Sequence, residues 1–505
     1  MKAPRATRAA KFGAGWSVGL AVLAFAGGAE AHVGSPDAVQ DGQAGPYHLL
    51  VTIRPPEVVP GIARIDVRVF DDDVAGVSVV PLPLRGPGVD SPPVADRARP
   101  SPADPHLFGS TLWLMRTGEW QVRVTVDGAR GPGALSIPVP ALARSVRPMS
   151  PVLIAALAAL LALLVIGLVS IVGASLREAD LAAGAAPDRQ RRRRGRVGMI
   201  VAAAILALAI VGGRGWWTGE ARFYRRLLYK PMRVVVTQPS PATLALTLTD
   251  PGWMRWRLTD DLVADHGHLM HLFLVRTPEL DAIAHLHPKQ GDSARFVQAT
   301  PPLPSGSYRL FGDIVHRTGL DETVVTTLEL AGGSRAAPDL AGLSDTPDTR
   351  FDPDDAIAVL PRAATALSPV FAFGDGRGRL RWMAPRAPQA GQTVVLEFAA
   401  EGSDGRPAPG IEPYMGMAGH AMIVARDFSV FAHIHPTGSV PMAALALVEG
   451  GGPVPDHSHH AMKFAPRVRF PCIFPHAGDY RLFVQIKEDG RVETAAFDIA
   501  VEPPR

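Results

Sequence analysis

The sequence predicts a mainly β protein, with three extracytoplasmic β-sandwich-like domains and a two-helix transmembrane hairpin. Glycine and proline, at 50 and 48 of 505 residues, are abundant and aperiodic, which favours turns and short strands over long helices. Alternating apolar and polar residues recur before position 148 and after position 234, as in half-buried strands. Two apolar runs, 151–173 and 197–213, separate these β-rich regions and predict membrane-spanning helices.

The first 31 residues have the pattern of a secretory signal peptide. Four basic residues within the first 11 precede an apolar stretch that ends in Ala29-Glu30-Ala31, a small-x-small cleavage pattern. We therefore assign 1–31 to a signal peptide. Cleavage there leaves His32 at the start of an N-terminal β-sandwich domain, 32–148.

The apolar runs predict transmembrane helices at 150–174 and 197–217. The 23 residues of 151–173 carry no charge, which is enough to cross a hydrocarbon core about 30 Å thick. The segment between the helices, 175–196, contains six arginines between positions 189 and 196. Because basic loops stay inside, this loop is expected in the cytoplasm and both flanking regions in the periplasm, for a multi-pass protein of the bacterial inner membrane.

Two further basic features bear on partners. The arginine block admits a nucleic-acid or protein site as an alternative to a topology signal, but its place between two spans favours topology. The basic segment 218–234 predicts a juxtamembrane helix that lies on membrane lipid. Net charge is only +3 and no broad basic face is evident, so nucleic acid is not an expected partner.

An internal repeat occupies the C-terminal half. "HLMHLFLVRTPELDAIAHLHP" in the first copy corresponds to "AGHAMIVARDFSVFAHIHP" in the second, and this predicts two His-rich β-domains at 235–332 and 375–502. The turn-rich segment 333–374 is expected to be a linker. The repeat pairs His271 with His420, His285 with His433, His287 with His435, and Tyr308 with Tyr480.

The paired histidines are the strongest chemical signal. Residues i and i+2 of a strand face the same side, and the prolines that follow both pairs favour extended backbone. Two imidazoles on one face can converge on a metal ion; thioethers nearby suit copper, especially Cu(I), whereas imidazole alone suits zinc equally well. The candidate ligands are His266, His268, Met270, His271, His285, His287, Met415, Met417, His420, Met422, His433, His435 and His32.

Structural roles are the alternative for these residues. A His-x-His pair on a half-buried strand can serve packing and hydrogen bonding, and methionines near a strand start are often core residues. For His32, cleavage after Ala31 would create a histidine brace from its imidazole and α-amino group, with His48 and His106 as neighbours. Its alternative is that His32 merely follows the cleavage site.

Catalysis has little support. The sequence lacks nucleophile-elbow, phosphate-loop and His-Glu-x-x-His motifs, and no catalytic or organic-cofactor site is predicted. A copper oxidoreductase is a third possibility, but no blue-copper pattern supports it. Cys472 lies in the apolar context "RFPCIFP", which raises rather than lowers a thiol pKa.

Several of these segments resemble known proteins. "LMHLFLVRTPELDAIAHLHP", "LPSGSYRLFGDIVH", "YMGMAGHAMIV" and "FAHIHPTGSV", together with the N-terminal "HVGSPDAVQDGQAGPYHLLVTIRPP", are similar to uncharacterised two-span bacterial membrane proteins with duplicated "MHL…HLHP" periplasmic β-domains. Single domains of this kind resemble secreted β-sandwich proteins associated with heavy-metal handling. The resemblance implies an architecture rather than an activity.

The expected function is therefore that of a membrane-anchored envelope protein that binds or delivers a transition metal. Copper is favoured over zinc, and the His/Met clusters of the tandem β-domains are the expected site. Two helices are too few for a metal channel of their own, so transport requires oligomerisation or a partner, such as a metal transporter or another envelope protein. The alternative function is an envelope assembly or protein-interaction module with structural histidines.

Overall fold

The structure is a computed structural model that describes residues 32–33, 37–182, 184–331, 351–362, 368–374, 376–383, 387–450 and 463–504. The predicted signal peptide lies outside these residues, and so does the segment "DHSHH", whose histidines His457, His459 and His460 the sequence also predicts as weak metal ligands. The predicted fold class is confirmed: the chain is mostly β, with several sandwich-like pairs of sheets and two long apolar helices that form a candidate membrane hairpin.

The N-terminal region forms two facing sheets. Its alternating sequence places valine, isoleucine and leucine in one core, because every second strand residue faces the opposite sheet. One sheet has the order β2-β3-β4-β8-β7 and the other β10-β9-β5-β6. The strands, with β1 that precedes them, are β1 (His32–Val33), β2 (Ala38–Ala44), β3 (Tyr47–Arg54), β4 (Gly61–Val69), β5 (Val74–Pro83), β6 (Asp96–Arg97), β7 (Arg99–Ser101), β8 (Asp104–Leu114), β9 (Gly118–Gly128) and β10 (Gly133–Ala141).

β1 does not join the N-terminal sandwich, although the sequence predicts that this domain begins at His32. It pairs in parallel with a strand of the second repeat, with His32 opposite Val430. Two residues are too few to show periodicity, so their sheet is decided by a distant edge strand that offers free hydrogen-bonding groups.

Two helices follow, α1 (Pro151–Glu178) and α2 (Arg189–Leu227). Both are long and apolar enough to cross a membrane. They approach closely where Gly195 meets Gly173, because a Cβ on Gly195 would lie 3.0 Å from the Gly173 carbonyl oxygen. Small residues permit such close helix contacts.

The helix ends differ from the predicted boundaries. The six arginines of the predicted loop 175–196 form the first turns of α2, since the Asp188 side chain accepts a hydrogen bond from the Arg191 amide and starts the helix there. The predicted juxtamembrane helix 218–234 is not separate, because α2 continues to Leu227 and β11 begins at Arg233. Tyr224 near the end of α2 donates to the Val59 carbonyl, so this turn contacts protein as well.

The first repeat is a second sandwich. One sheet has the order β11-β12-β17-β16 and the other β13-β18-β14-β15-β20, with β19 paired to β18. Its strands are β11 (Arg233–Ser240), β12 (Thr243–Thr249), β13 (Leu262–Val263), β14 (His271–Arg276), β15 (Ala282–Leu286), β16 (Lys289–Gln290), β17 (Arg295–Ala299), β18 (Gly306–His316), β19 (Asp321–Leu330) and β20 (Ala356–Val359).

The second repeat has sheets β21-β22-β23-β26 and β1-β25-β24-β27-β28, with a short helix, α3, after β25. Its larger sheet matches the order β20-β15-β14-β18-β19 of the first repeat. The elements are β21 (Val370–Ala372), β22 (Gly378–Trp382), β23 (Thr393–Gly402), β24 (His420–Ala425), β25 (Val430–Ile434), α3 (Met442–Val448), β26 (Arg467–Ile473), β27 (Gly478–Glu488) and β28 (Arg491–Val501).

The predicted linker 333–374 therefore contains ordered strands at its C-terminal end. β20 extends the first repeat by pairing with β15, and β21 belongs to the second repeat. The four residues of β20, "AIAV", are too few to show the alternation typical of a strand. The acidic, turn-rich residues before them favour a linker instead, so the sequence does not predict this strand.

The two large sheets face each other. Each repeat has its own core, and a further apolar cluster joins them, in which Phe311 stacks on Phe431 with ring centroids 4.0 Å apart. The N-terminal sandwich docks on the second repeat, where the Asp41 amide donates to the Thr437 carbonyl.

Candidate metal centre

Eight histidines form one contiguous cluster between the two repeats. They come from both repeats, and neighbouring rings have centroids between 3.9 Å apart, for His268 and His287, and 6.2 Å apart, for His285 and His420. We call this group the histidine cluster: His266, His268, His271, His285, His287, His420, His433 and His435.

Strand alternation explains why these side chains meet. In β14, Phe273 faces the opposite repeat, whereas Leu272 and Leu274 face the core of their own sandwich. His271 shares the face of Phe273, and His285 stacks on Phe273 from the adjacent strand. The predicted same-side orientation of His285 and His287 holds, with ring centroids 4.7 Å apart. The second pair, His433 and His435, has a separation of 4.5 Å.

Each repeat repeats the same internal hydrogen bond. His271 Nδ1 lies 3.1 Å from His285 Nε2, and His420 Nδ1 lies 3.1 Å from His433 Nε2. The other ring nitrogen of the first histidine in each pair faces a backbone carbonyl, that of Asp265 for His271. These contacts fix the orientation of four rings before any ligand binds.

The repeats also exchange polar contacts. Gln485 lies beside His420 in the sheet, and its Oε1 is 3.0 Å from Nδ1 of His285 in the first repeat. Asp313 holds the equivalent position beside His271, and its Oδ2 is 3.4 Å from Nδ1 of His433 in the second repeat. The cluster is therefore built around an approximate two-fold relation between the sheets.

A tight turn precedes the first histidine strand of each repeat. His266 and Met415 occupy the same turn position with left-handed φ angles of 51° and 49°. The turns are closed by the matching bridges Asp265–His268 and Tyr414–Met417. From this turn, His266 reaches the second repeat, with its ring 5.1 Å from that of His420 and 5.0 Å from that of His435.

Two sets of three histidines have ligand atoms close enough to share one metal ion. In each set, one nitrogen from every ring lies within 4.8 Å of the others. The first trio is His266, His420 and His435; the second trio is His271, His285 and His287. A third group, His268, His287 and Asp352, shares His287 with the second trio.

Several ring nitrogens in the two trios have no hydrogen-bond partner among the described residues. These buried atoms are Nε2 of His266, Nε2 of His287 and both ring nitrogens of His435. The nearby backbone of Val440 acts to raise the pKa of His435, but the two groups do not form a hydrogen bond of normal geometry. An unpaired buried polar group lowers the stability of the folded protein by about 1–3 kcal/mol. A ligand that pairs with these nitrogens would therefore stabilise the site.

Burial favours the neutral form of six of these histidines. Loss of hydration is the largest cause that lowers the pKa of each buried histidine, and neighbouring imidazoles lower most of these pKa values further; the pKa of His285 falls to about 3. Neutral imidazole is the form that binds metals. The affected residues are His271, His285, His287, His420, His433 and His435.

Asp355 orients one of the unpaired rings. Its Oδ1 accepts the His287 backbone amide at 2.8 Å and lies 3.0 Å from Nδ1 of the same ring. Nε2 of His287 is then left facing the second trio, as in carboxylate–histidine–metal arrangements. Five residues at the site are not predicted from the sequence: Asp355, Asp313, Asp352, Tyr414 and Gln485. For Asp355, the one signal in the sequence is the acidic "FDPDD" before an apolar stretch.

The predicted methionines have different locations. Met270 packs in the core of the first repeat, with Sδ beside Gly312, and is therefore left out of the candidate site. Met422 lies in the apolar cluster between the repeats, directly across the ladder from His433. Met415 and Met417 occupy the turn that corresponds to His266 and His268.

The backbone of His32 lies in a different sheet from its predicted neighbours. It is at the edge of the second repeat, while His48 pairs with Gln43 and His106 lies in β8, both in the N-terminal sandwich. His48 Nε2 contacts Asp41 and the ring stacks on Phe70. The histidine brace stays a prediction. Cys472 is buried in the second core, which raises its pKa.

Comparisons with known proteins add a domain assignment. Residues 375–503 match a family model described as a domain of unknown function, DUF8832, which covers the second repeat. No curated protein matches the chain.

Among solved structures, a tetra-tandem repeat from the extending region of a large adhesion protein is 8% identical. The alignment covers 92% of this chain and 74% of that one, with a TM-score of 0.15. The ICAM-5 D1–D4 ectodomain fragment is 10% identical over 88% of this chain and 74% of that one, with a TM-score of 0.14. A Salmonella alpha-2-macroglobulin mutant is 9% identical over 92% and 33%, with a TM-score of 0.17. These TM-scores are too low to carry an argument about function.

Proposed function

We propose that this protein binds a transition metal in the histidine cluster between its two C-terminal β-sandwiches. The observation that carries the proposal is the convergence of buried, unpaired imidazole nitrogens from both repeats, above all those of His266, His287 and His435. A metal ion would give each of these nitrogens a partner at about 2.0–2.1 Å after small side-chain adjustments.

A purely structural role explains part of the cluster but not all of it. The bonds His271–His285 and His420–His433 are the kind that a structural histidine makes. The unpaired nitrogens are different, because a core selected for packing alone would be more stable with apolar side chains at those positions. Neutral rings facing one another across an interface favour ligation.

The ligand chemistry favours copper over zinc. The trios contain only imidazole, which both metals accept. Met415 occupies the turn position that His266 occupies in the first repeat, and Met422 lies across the ladder from His433. Thioethers next to imidazoles favour Cu(I), so we expect the cluster to prefer copper when that ion is available.

The proposed location is the periplasmic side of a bacterial inner membrane. The N-terminal sandwich contacts the second repeat and the end of α2, which is possible only if both flanks of the hairpin lie on one side. The arginines at the start of α2 favour that end as the cytoplasmic one. The histidine cluster would then take up or pass on metal in the envelope, in contact with a transporter or another envelope protein.

The experiment is a metal titration of the purified full-length protein in detergent after treatment with a chelator. We expect Cu(I), measured against a chromophoric competitor, to bind more tightly than Zn(II). Replacing His435 by Ala should weaken the binding by about tenfold or more. The thermal midpoint of the metal-free protein should change little, because the removed ring has no hydrogen bond of normal geometry.

His106→Ala is the matched control, since this histidine is partly exposed on the N-terminal sandwich. It should bind metal as the parent does. If the parent retains neither copper nor zinc, and His435→Ala destabilises the protein, the histidines are structural and an interaction module is the better account.

A further inference from the structure

We propose that the histidine cluster is a two-metal centre, with one ion in the first trio and a second ion in the second trio. This proposal rests on the proposed function and specifies how many ions the site holds and how they interact.

The two trios share no ligand. His266, His420 and His435 belong to the first, and the second is formed entirely by the first repeat. Three imidazoles supply three of the four ligands of a tetrahedral ion and leave one position open. Six histidines around a single ion would exceed what either copper or zinc takes from imidazole in such sites.

The two trios are adjacent. Rings of different trios approach to centroid distances of 6.1 Å for His266 and His271 and 6.2 Å for His285 and His420. With each ion about 2.0 Å from its nitrogens, two ions would lie on the order of 4–7 Å apart. His433 is close to both trios, with its ring 5.4 Å from that of His271 and 5.3 Å from that of His420.

Each trio has its own unpaired ring nitrogens. His266 and His435 supply them in the first trio, and His287 in the second. A single ion in the first trio would leave Nε2 of His287 without a partner, and a single ion in the second would leave those of His266 and His435. Two ions give every one of these atoms a partner.

Carboxyl groups beside the cluster can balance the charge of two cations. Two cations in a buried site need anions nearby, because isolated charge is costly away from water. The carboxyl groups that can ionise to supply this charge are those of Asp355, 3.0 Å from His287, Asp313, 3.4 Å from His433, and Asp354, 3.8 Å from His268. A small pocket, lined in part by Asp265, Asp313 and His433, borders the cluster.

The test uses the full-length protein in detergent, loaded with Cu(II) to saturation and freed of excess metal. Elemental analysis should give about two copper ions per chain. Electron paramagnetic resonance should show a spectrum broadened by dipolar coupling and a half-field transition, because two Cu(II) ions this close interact through space.

Two variants assign the ions. His266→Asn removes one ligand from the first trio, and asparagine tolerates the left-handed backbone at this position. His287→Asn removes one ligand from the second trio and from the group that shares it. Each variant should retain about one copper ion per chain, with the narrow spectrum of an isolated ion and no half-field transition. His106→Asn should match the parent.

The possible outcomes separate this proposal from the function on which it rests. Saturation of the parent at one ion per chain, with the spectrum of an isolated ion, would leave metal binding intact and overturn the two-metal centre. Two ions without dipolar broadening would also overturn it. No copper at all would overturn the two-metal centre, and the absence of both Cu(I) and Zn(II) binding in the titration would overturn the proposed function as well. Because the parent alone gives the decisive stoichiometry and spectrum, the proposal does not depend on the folding of a variant.

Discussion

Gln485 shows how single residues hold the two repeats in register. Its side-chain amide donates to Thr494 Oγ1 at 3.1 Å, while its carbonyl oxygen lies 3.0 Å from Nδ1 of His285 in the other repeat. All three groups are buried. Removing the amide therefore leaves Thr494 Oγ1 short of a partner and leaves His285 Nδ1 with the Tyr414 hydroxyl, 3.3 Å away, in a place that water does not easily reach.

We expect Gln485→Ala to destabilise the metal-free protein by about 1–3 kcal/mol. The measurement is the shift of the unfolding midpoint of the full-length protein in detergent. Gln43→Ala is the control, because Gln43 is exposed on β2. Equal midpoints for Gln485→Ala and the parent would show that the contact between the repeats contributes no stability.

His316 is a buried titratable group away from the cluster. Burial alone would lower its pKa, but the carboxylates of Glu322, 3.0 Å from Nε2, and Asp261, 2.7 Å from Nδ1, outweigh burial and raise the pKa above 6.5. Glu322 also accepts from Arg257 and Tyr229. A raised pKa means that the charged ring stabilises the folded state.

The pH dependence follows from that sign. The stabilisation by His316 should be fully present below pH 6.5, the ordinary pKa of the group, and should be lost as the pH rises through the raised value. The difference in thermal midpoint between the parent and His316→Gln should therefore be largest near pH 5.5 to 6 and shrink towards alkaline pH. A difference that grows with pH would contradict the charged state of the ring.

At the scale of elements, β20 connects the segment between the repeats to the site. It pairs with β15, the strand that ends next to His287. Asp355 immediately precedes β20 and receives hydrogen bonds from His287 and Gln298. The strand therefore positions a carboxylate that neither repeat supplies from its own core strands.

We expect Asp355→Ala to lower metal affinity by about 10–100-fold, the usual effect of losing a carboxylate that orients a histidine ligand. Asp292→Ala is the matched control, since Asp292 only caps an exposed turn at Arg295. Both variants are measured in the copper titration with the competitor. An affinity equal to that of the parent would mean that His287 is oriented by packing alone or does not bind the metal.

For the whole molecule, the docking of the N-terminal sandwich on the second repeat is the feature with the widest consequence. Ser439 Oγ accepts from the Val39 amide and donates to the Asp37 carbonyl. Leu445 of α3 packs into the N-terminal core. The regions before and after the candidate membrane hairpin are therefore one assembly, so a membrane crossed by that hairpin would lie to one side of it.

Reporter fusions test the orientation. A reporter active only outside the cytoplasm should be active when fused after Arg505 and silent when fused at Pro187, between the two helices. Expression levels measured by immunoblot are the control. The reverse pattern would place every histidine of the cluster in the cytoplasm and remove the envelope from the proposed function.

The sequence by itself determined the local structure. Strand alternation and Pro/Gly turns predicted the β regions, uncharged runs predicted the helices, and the rule that residues i and i+2 share a face predicted that His285 and His287 lie together. These features follow from short-range geometry, because each depends on residues that are close along the chain.

Only the tertiary structure decided what those faces meet. Strand alternation shows that His271 and Phe273 share one face of their sheet, and it likewise assigns Met422 to one face of the sheet in the second repeat. It does not show which sheet lies opposite these faces. The choice rests on the complementary apolar surfaces around Phe311 and Phe431, which bury aromatic area when the repeats face each other. That burial brings His266 to His420 and His435, residues more than 150 positions away, and so a site that the sequence divided between two repeats becomes one cluster at their interface.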